Sequence, residues 1–395
     1  MDALEVMMHK ERTYPLFQPI FVAGKHEVVG YEVLPRLRIE EHEYDLTDFF
    51  YDSLVPEEYR LEIDRYIRKQ ALEIQKTRAH MWLFYNINPS LYDGSPGDRL
   101  ISELAEESTE MILSISLSDE TVKWYTLRHF VQFLQNSQIR VAMKETKNAK
   151  ITMMDIVQVK PDIIKIDIGD VERENVNVHR ELLHTFSIAA GKIGASLLFQ
   201  NIKGFQQLSD AWRQGALYLQ GDYLALPHPT MIDNNQEKLV KNFRSFLNYE
   251  REKKRASLQF SRFLSERMKK LISGRVVHMD SDTLAQYVGR SLQDICFRVY
   301  ICDGEGFQLS GNAVKHQSDQ WEIYEENRRQ NWSWRPFFLE NIVQMHVDGG
   351  GILSELYMDL HRHEQIRTYS YPAGDGRYIF VDIPFSYLYE RDFLG

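Results

Sequence analysis

The feature that most constrains the fold is an alternation of short apolar runs with longer amphipathic stretches from about Tyr14 to Pro227. This pattern is typical of βα units that feed a parallel sheet. Eight runs read as strands: Phe17–Val22, Val28–Leu34, Trp82–Asn88, Met111–Leu117, Ile139–Glu145, Ile163–Ile168, Ser196–Ile202 and Tyr218–Leu224. Eight strands in roughly 230 residues predict an α/β fold that closes as a (β/α)8 barrel of TIM type. An open doubly wound sheet is the alternative, although no Gly-rich phosphate loop follows an early strand.

The pattern changes after Pro227. Apolar residues recur at helical spacing in a polar stretch from Asn235 to about Leu271, which predicts one or two amphipathic helices. The expected organisation is a barrel over residues 1–230, a helical linker over 231–273 and a small α+β domain over 274–395. Because a helix with an apolar stripe needs a surface to cover it, the linker also predicts a homodimer.

The C-terminal part predicts an antiparallel sheet with helices on one side. A helix is expected near Asp282–Gly289, a strand over Cys296–Cys302 and a second helix near Pro336–Val347. Two further strands, Ile366–Tyr371 and Arg377–Ile383, form a hairpin around a Gly-rich turn. This layout resembles PAS and Cache-type sensor modules.

Composition excludes several classes of protein. No run of eighteen apolar residues occurs, and the N-terminus lacks the pattern of a secretory signal, so we expect a cytoplasmic protein without a membrane span. The net charge of −10 argues against a nucleic-acid polymer as partner. The two cysteines, Cys296 and Cys302, are interpreted as free thiols.

Catalytic residues of a βα barrel lie at the carboxyl ends of its strands. Polar side chains occupy these ends in every unit of the predicted barrel. They are Glu32, Asn86, Ser114, Lys144, Glu145, Lys165, Gln200 and Gln220.

Several segments together resemble the EAL family of cyclic di-GMP phosphodiesterases. Gln18-Pro19-Ile20 is similar to its QPI strand, and Tyr31 to Arg36 reads YEVLPR where the family has YEALxR. Asn86 falls on the metal-binding asparagine of the family, and Lys165-Ile166-Asp167 matches its KID strand. Tyr218 to Tyr223 resembles the QGYxF segment, with Asp222 where a Tyr is usual. The resemblance covers about residues 14–230. The C-terminal part resembles that of YkuI-type EAL proteins.

Three positions depart from the family pattern. Ser114, Lys144 and Gln200 stand where the family has metal-binding acids. Hard cations such as Mg²⁺ and Mn²⁺ need carboxylate oxygens. An ammonium about 4 Å from a divalent ion repels it by roughly 8 kcal/mol at an effective dielectric near 20. We therefore expect no cofactor and no intact catalytic set. Residual activity would need Mg²⁺ or Mn²⁺ on Glu32, Asn86 and Glu145.

Two arrangements of Lys144 are possible. Its ammonium can replace the cation and pair with Glu32, with Glu145 as a second candidate partner, or it can point into solvent. Gln18, Arg36, Lys165 and Gln220 are the candidate ligands for cyclic di-GMP. The alternative is a structural network in which Arg36 and Lys165 neutralise acidic neighbours, namely Glu32, Glu145 and Asp167.

The sequence thus predicts a catalytically inactive regulator that binds cyclic di-GMP or a protein partner. A residual phosphodiesterase and a scaffold that binds no nucleotide are the alternatives. Two other features carry weaker hypotheses. Trp332 and Trp334 are expected on one side of an extended segment, in a core, a pocket or an interface. His361-Arg362-His363 reads as an exposed turn in preference to a metal clip.

Overall fold

The structure is a computed structural model that describes residues 2–78, 80–92, 94–107, 110–116, 124–144, 153–169, 176–231, 236–272, 278–316, 320–359 and 362–390. The chain divides into two compact units, Met1–Arg244 and Ser245–Gly395. In the described part of the chain, no helix is long and apolar enough to cross a bilayer.

Eight of the nine described strands of the first unit coincide with predicted runs, although the last of them is only two residues long. They are β1 (Thr13–Val22), β2 (Glu27–Ile39), β3 (His42–Asp45), β4 (Trp82–Ile87), β5 (Met111–Ser116), β6 (Arg140–Lys144), β7 (Ile163–Asp167), β8 (Ser196–Gln200) and β9 (Tyr218–Leu219). The α-helices are α1 (Ala3–Met8), α2 (Glu57–Gln75), α3 (Ser95–Glu107), α4 (Trp124–Asn136), α5 (Met153–Val159), α6 (Val176–Ile193) and α7 (Phe205–Arg213). Short 3-10 turns cover Lys10–Arg12, Asp48–Phe50, Lys76–Arg78 and Pro89–Tyr92.

Eight of these strands close into a barrel, which confirms the predicted fold class. Around the ring the order is β1, β9, β8, β7, β6, β5, β4 and β2, and β2 pairs with β1 to close it. Within the ring, neighbouring strands from β2 and β4 through β9 run parallel. The strand β1 is antiparallel to both of its neighbours, β2 and β9. The strand β2 continues past the ring to Ile39 and pairs there with β3. This hairpin was not predicted.

The barrel is filled because successive side chains of a strand point to opposite faces. Inward-facing residues form an apolar layer: Ile20, Phe84, Ile112, Ala142, Ile163, Leu198 and Tyr218. Outward-facing residues such as Tyr31 and Val33 join a larger core beneath the helices. The barrel interior is therefore packed, and a ligand can reach only its rim.

The second unit contains one antiparallel sheet. Its strands are β10 (Arg298–Asp303), β11 (Asn312–Lys315), β12 (Trp321–Tyr324), β13 (Ile352–Leu353), β14 (Tyr357–Met358), β15 (Gln365–Gly374) and β16 (Arg377–Pro384). The order is β12, β11, β10, β16, β15 and β13, with β14 also on β15. Its helices are α9 (Ser281–Ser291), α10 (Pro336–Asp348) and α11 (Phe385–Glu390); α8 (Gln236–Leu271) begins in the first unit.

Helices cover both faces of this sheet, so the expectation of helices on one side was wrong. One face packs against α8 and α9 through residues such as Leu264 and Val288. The opposite face packs against α10 through Phe338 and Met345. Adjacent residues of β10 and β16 alternate between these two cores, because both faces of the strands are apolar.

Two local predictions in this unit need correction. Cys296 precedes β10 instead of opening it, although both cysteines are buried and free. Trp332 and Trp334 do not share a face: Trp332 is 6% exposed and Trp334 is 63% exposed. The cause is that the segment turns before α10 and is not extended, so the period of two does not apply.

Candidate functional site

A polar layer lies directly above the apolar layer of the barrel. On the parallel strands from β4 to β9 it begins two residues after an inward apolar side chain, as Asn86 follows Phe84 and Lys144 follows Ala142, whereas Glu32 of β2 follows Gly30. The barrel therefore gathers predicted site residues at one rim: Gln18, Glu32, Asn86, Ser114, Lys144, Lys165, Gln200 and Gln220. Glu145 lies outside the described residues.

Glu32 is the centre of this layer and is 2% exposed. Lys165 Nζ lies 2.7 Å from Glu32 Oε1, and Lys144 Nζ lies 3.4 Å from the same oxygen. Asn86 Nδ2 donates to Oε1 at 2.8 Å, and Gln220 Nε2 donates to Oε2 at 2.5 Å. Three hydrogen-bond donors and the ammonium of Lys165, which forms an ion pair, thus converge on one buried carboxylate. Of the two arrangements predicted for Lys144, the structure has the one that pairs with Glu32.

The two lysines control ionisation of this carboxylate. Burial by itself raises the pKa of Glu32, but the charges of Lys144 and Lys165, aided by the hydrogen bond from Asn86, hold that pKa well below its ordinary value. Burial lowers the pKa of Lys165 to about 8, with Glu32 opposing and Lys144 reinforcing the shift. With its pKa at about 8, Lys165 remains mostly protonated near neutral pH, so two lysine side chains face the single carboxylate of Glu32.

The described residues do not fit a divalent cation. Asn86 Oδ1 and Ser114 Oγ are buried without a hydrogen-bond partner and could each offer one oxygen. Both oxygens of Glu32, however, already accept from other side chains, and two ammonium groups lie within 3.4 Å of one of them. Within the described ranges, no group of three or more His, Cys, Asp or Glu could hold a metal. Mg²⁺ or Mn²⁺ would have to displace these donors.

A chain of amides extends from Glu32 along the rim. Gln220 Nε2 also donates to Gln18 Oε1 at 3.0 Å, and Gln18 Nε2 donates to Asp222 Oδ1 at 2.9 Å. Asp222 therefore orients Gln18, a link that the sequence did not suggest. Gln200 ends β8 and is 9% exposed.

Of the structural network considered for Arg36 and Lys165, the structure has the pair of Lys165 with Glu32, whereas Arg36 contacts two other acids. Arg36 NH1 lies 2.9 Å from Asp45 Oδ2 and its Nε lies 3.7 Å from Glu43 Oε1. Asp167 instead accepts from the backbone N–H of Gly169 at 2.8 Å. The unpredicted hairpin supplies both carboxylates. Only the acidic composition of residues 40–45 could have signalled them.

The remaining candidates belong to the second unit of the chain. Trp332 donates its Nε1–H to Gln308 Oε1 at 2.8 Å inside the second unit. His361 lies outside the described residues, and His363 has a positive φ of 53° in an exposed turn.

Comparisons with known proteins agree with this architecture. A model of the EAL domain matches residues 1–227, and a model of the EAL-domain associated signalling protein domain matches residues 231–394. The chain is 34% identical over 404 aligned residues to the uncharacterised EAL-domain containing protein YkuI of Bacillus subtilis (strain 168), with 99% of both chains covered.

Solved structures extend the comparison. The crystal structure of the Bacillus subtilis YkuI protein, with an EAL domain, in complex with substrate c-di-GMP and calcium has a TM-score of 0.90 at 32% identity, and the match covers 100% of both chains. The FimX EAL domain from Pseudomonas aeruginosa bound to c-di-GMP has a TM-score of 0.51 at 21% identity, covering 59% of this chain and 98% of the other. The latter shows a shared fold alone.

Proposed function

Because this chain belongs to the EAL domain family, we propose that its barrel binds cyclic di-GMP without a metal ion and does not hydrolyse it. The observation that carries this proposal is the pair of ammonium groups on Glu32, at 2.7 Å for Lys165 and 3.4 Å for Lys144. The related YkuI protein of Bacillus subtilis has been crystallised in complex with c-di-GMP and calcium. In the present chain, Lys144 would supply positive charge where that class of site uses a cation.

Charge favours a phosphodiester ligand at this rim. The excess positive charge around Glu32 attracts an anion, and the amides of Gln18 and Gln220 are donors and acceptors suited to a base edge. Arg36 projects from the same face of β2 as Glu32, four residues further on, and its guanidinium suits a phosphate. This positive charge is confined to the contacts around Glu32, and the chain as a whole carries a net charge of −10.

The same contacts oppose hydrolysis. A general base must accept a proton from water near the working pH, and the strongly lowered pKa of Glu32 makes it a poor base. Both of its oxygens already accept hydrogen bonds, and Oε1 also contacts the ammonium of Lys165, so neither oxygen is free for a cation or a water. Phosphodiester cleavage through Glu32 would require the network to be dismantled first.

A residual metal-dependent phosphodiesterase is the second candidate. It is favoured by the unpartnered buried oxygens of Asn86 and Ser114, which could ligate a weakly held ion. Glu145 would be the further ligand in that case. A scaffold that binds no nucleotide is the third possibility from the sequence.

We extend the proposal to the rest of the chain. The C-terminal unit would sense a ligand or hold a homodimer, and a protein partner would read out its state in the cytoplasm. The boundaries 1–230, 231–273 and 274–395 remain our proposal for the barrel, linker and sensor. The single helix α8, Gln236–Leu271, accounts for most of the linker.

Calorimetry with cyclic di-GMP in the presence of a chelator tests metal-free binding. Wild-type protein should bind, and Arg36→Ala should weaken binding by about tenfold or more, since a charge-assisted contact contributes about 1.5–3 kcal/mol. Arg99→Ala removes an exposed arginine of α3 and is the matched control, expected to bind as wild type.

Two results would overturn the proposal. One is binding that requires Mn²⁺. The other is a linear dinucleotide product whose formation stops when the chelator is added, which would establish the residual enzyme.

A further inference from the structure

Arg36 is held between two carboxylates of the β2–β3 hairpin. Its side chain is 16% exposed, whereas those of Asp45 and Glu43 are 56% and 41% exposed. Asp45 is its partner across the ladder, so backbone pairing places that carboxylate beside the guanidinium. Arg36, the candidate side chain for contacting a nucleotide phosphate, is therefore already paired with acidic side chains.

Each carboxylate is fixed by a second contact that does not involve Arg36. The backbone N–H of Thr47 donates to Asp45 Oδ1 at 2.7 Å, leaving Oδ2 for Arg36. The hydroxyl of Tyr14 donates to Glu43 Oε2. Both acids would therefore stay near the guanidinium when a ligand approaches.

The geometry of a guanidinium makes this arrangement a competition. A bidentate phosphate contact uses two neighbouring nitrogens, either Nε with one terminal nitrogen or the two terminal nitrogens together. Asp45 lies at NH1 and Glu43 lies toward Nε of Arg36. A phosphate that binds either pair of nitrogens therefore finds one of them already in contact with a carboxylate oxygen. The negative charge of that carboxylate also repels the phosphate.

We propose that Asp45 and Glu43 compete with a nucleotide phosphate for Arg36 and so set the affinity of the barrel for cyclic di-GMP. This inference rests on the proposed function. The hairpin then acts as a built-in competitor. Any event that moves β3 away from β2 would raise affinity without changing the site floor around Glu32.

Calorimetry on Asp45→Asn and Glu43→Gln tests the competition. Both substitutions keep the shape of the side chain and remove its charge, and the amide oxygen that Asp45→Asn introduces can still accept from the backbone N–H of Thr47. We expect each to tighten cyclic di-GMP binding by about fivefold, as for loss of a partly exposed ion pair. Glu41→Gln, an exposed position of the same hairpin, is the control for net charge and should bind as wild type.

A double variant separates competition from a general field effect. In an Arg36→Ala background, Asp45→Asn should have no further effect on affinity. Weaker binding by Asp45→Asn alone would mean that the carboxylate positions Arg36, and would overturn the inference, as would unchanged binding while wild type binds. If neither wild type nor any variant binds, the proposed function falls with it. If the Asp45→Asn variant binds cyclic di-GMP and the wild-type protein does not, the result would support the inference.

Discussion

The Glu32→Gln substitution tests whether the buried charge cluster is the structural centre of the barrel rim. Glu32 is the counter-ion of Lys165, whose side chain is 0% exposed. Without the carboxylate, we expect Lys165 to release its proton in the folded protein at pH 7, because a buried ammonium without a partner is unfavourable. The barrel should become less stable by about 3 kcal/mol at pH 7.

Two contributions give this value. A folded pKa of about 8 in place of 10.5 means that the wild-type protein already carries about 3 kcal/mol of the burial cost at pH 7. Full deprotonation of an ordinary lysine at pH 7 costs about 5 kcal/mol, so the variant loses about 1–2 kcal/mol more. The weakened hydrogen bonds from Asn86 and Gln220 contribute about another 1.5 kcal/mol.

The pH dependence has a defined sign. Between the folded pKa of about 8 and the ordinary value of 10.5, the unfolded chain holds the Lys165 proton and the folded protein has released it. Lys165 therefore makes stability rise with pH through that window. At pH 9.5 the side chain is neutral in both proteins, so the cost of Glu32→Gln should fall to about half of its value at pH 7.

Urea unfolding followed by pulse proteolysis and mass spectrometry of barrel peptides measures this cost separately from the second unit. Glu110→Gln is the matched control, because Glu110 pairs with Arg140 at 3.2 Å on the surface, with 56% of its side chain exposed. It should cost less than about 1 kcal/mol. Adding Lys165→Met to Glu32→Gln should restore most of the stability. The reasoning is refuted if Glu32→Gln costs no more than the control, or costs more at pH 9.5 than at pH 7.

Single contacts give three further predictions. Lys144→Asp exchanges an ammonium for a carboxylate beside the buried acid of β2, so affinity for Mn²⁺ should rise at least about tenfold, as read from free Mn²⁺ by electron paramagnetic resonance; unchanged affinity would contradict this. Trp332→Phe removes a buried donor and should destabilise the second unit by about 1–2 kcal/mol, whereas Trp334→Phe, at an exposed position, should change its urea midpoint little. Gly221→Ala should cost about 2 kcal/mol or more in the same assay, since φ is +153° and a Cβ would lie 2.3 Å from the backbone of Ile202; a neutral result would contradict the close approach.

The sequence predicted the barrel because the two patterns that define it, the spacing of apolar runs along the chain and the alternation of side chains within a strand, are both local. Apolar runs fix the strands, and a period of two places Asn86 and Lys144 on the inner face one step above Phe84 and Ala142. The rim composition followed from these positions, and so did the pairing of Lys144 with Glu32 as one of two alternatives.

The partners of Arg36 could not be predicted in the same way. All four residues of β3, His42–Asp45, are exposed, so the strand has no apolar alternation to reveal it. The contact of Asp45 with Arg36 depends on the register of a hairpin that only the fold specifies. The prediction that Trp332 and Trp334 share a face was wrong for a related reason. The chain turns before α10, so the period of two that holds in an extended strand does not apply there.

The stacking of a polar layer on an apolar one separates what holds the barrel together from what its mouth can do. Phe84 fills the interior whether or not the side chain two positions later is an amide, an acid or an amine. Substitutions at positions such as 114 and 144 could therefore create sites for new ligands without opening a cavity in the apolar layer beneath them. The residues of the rim can in this respect be substituted while the packed interior of the barrel stays the same.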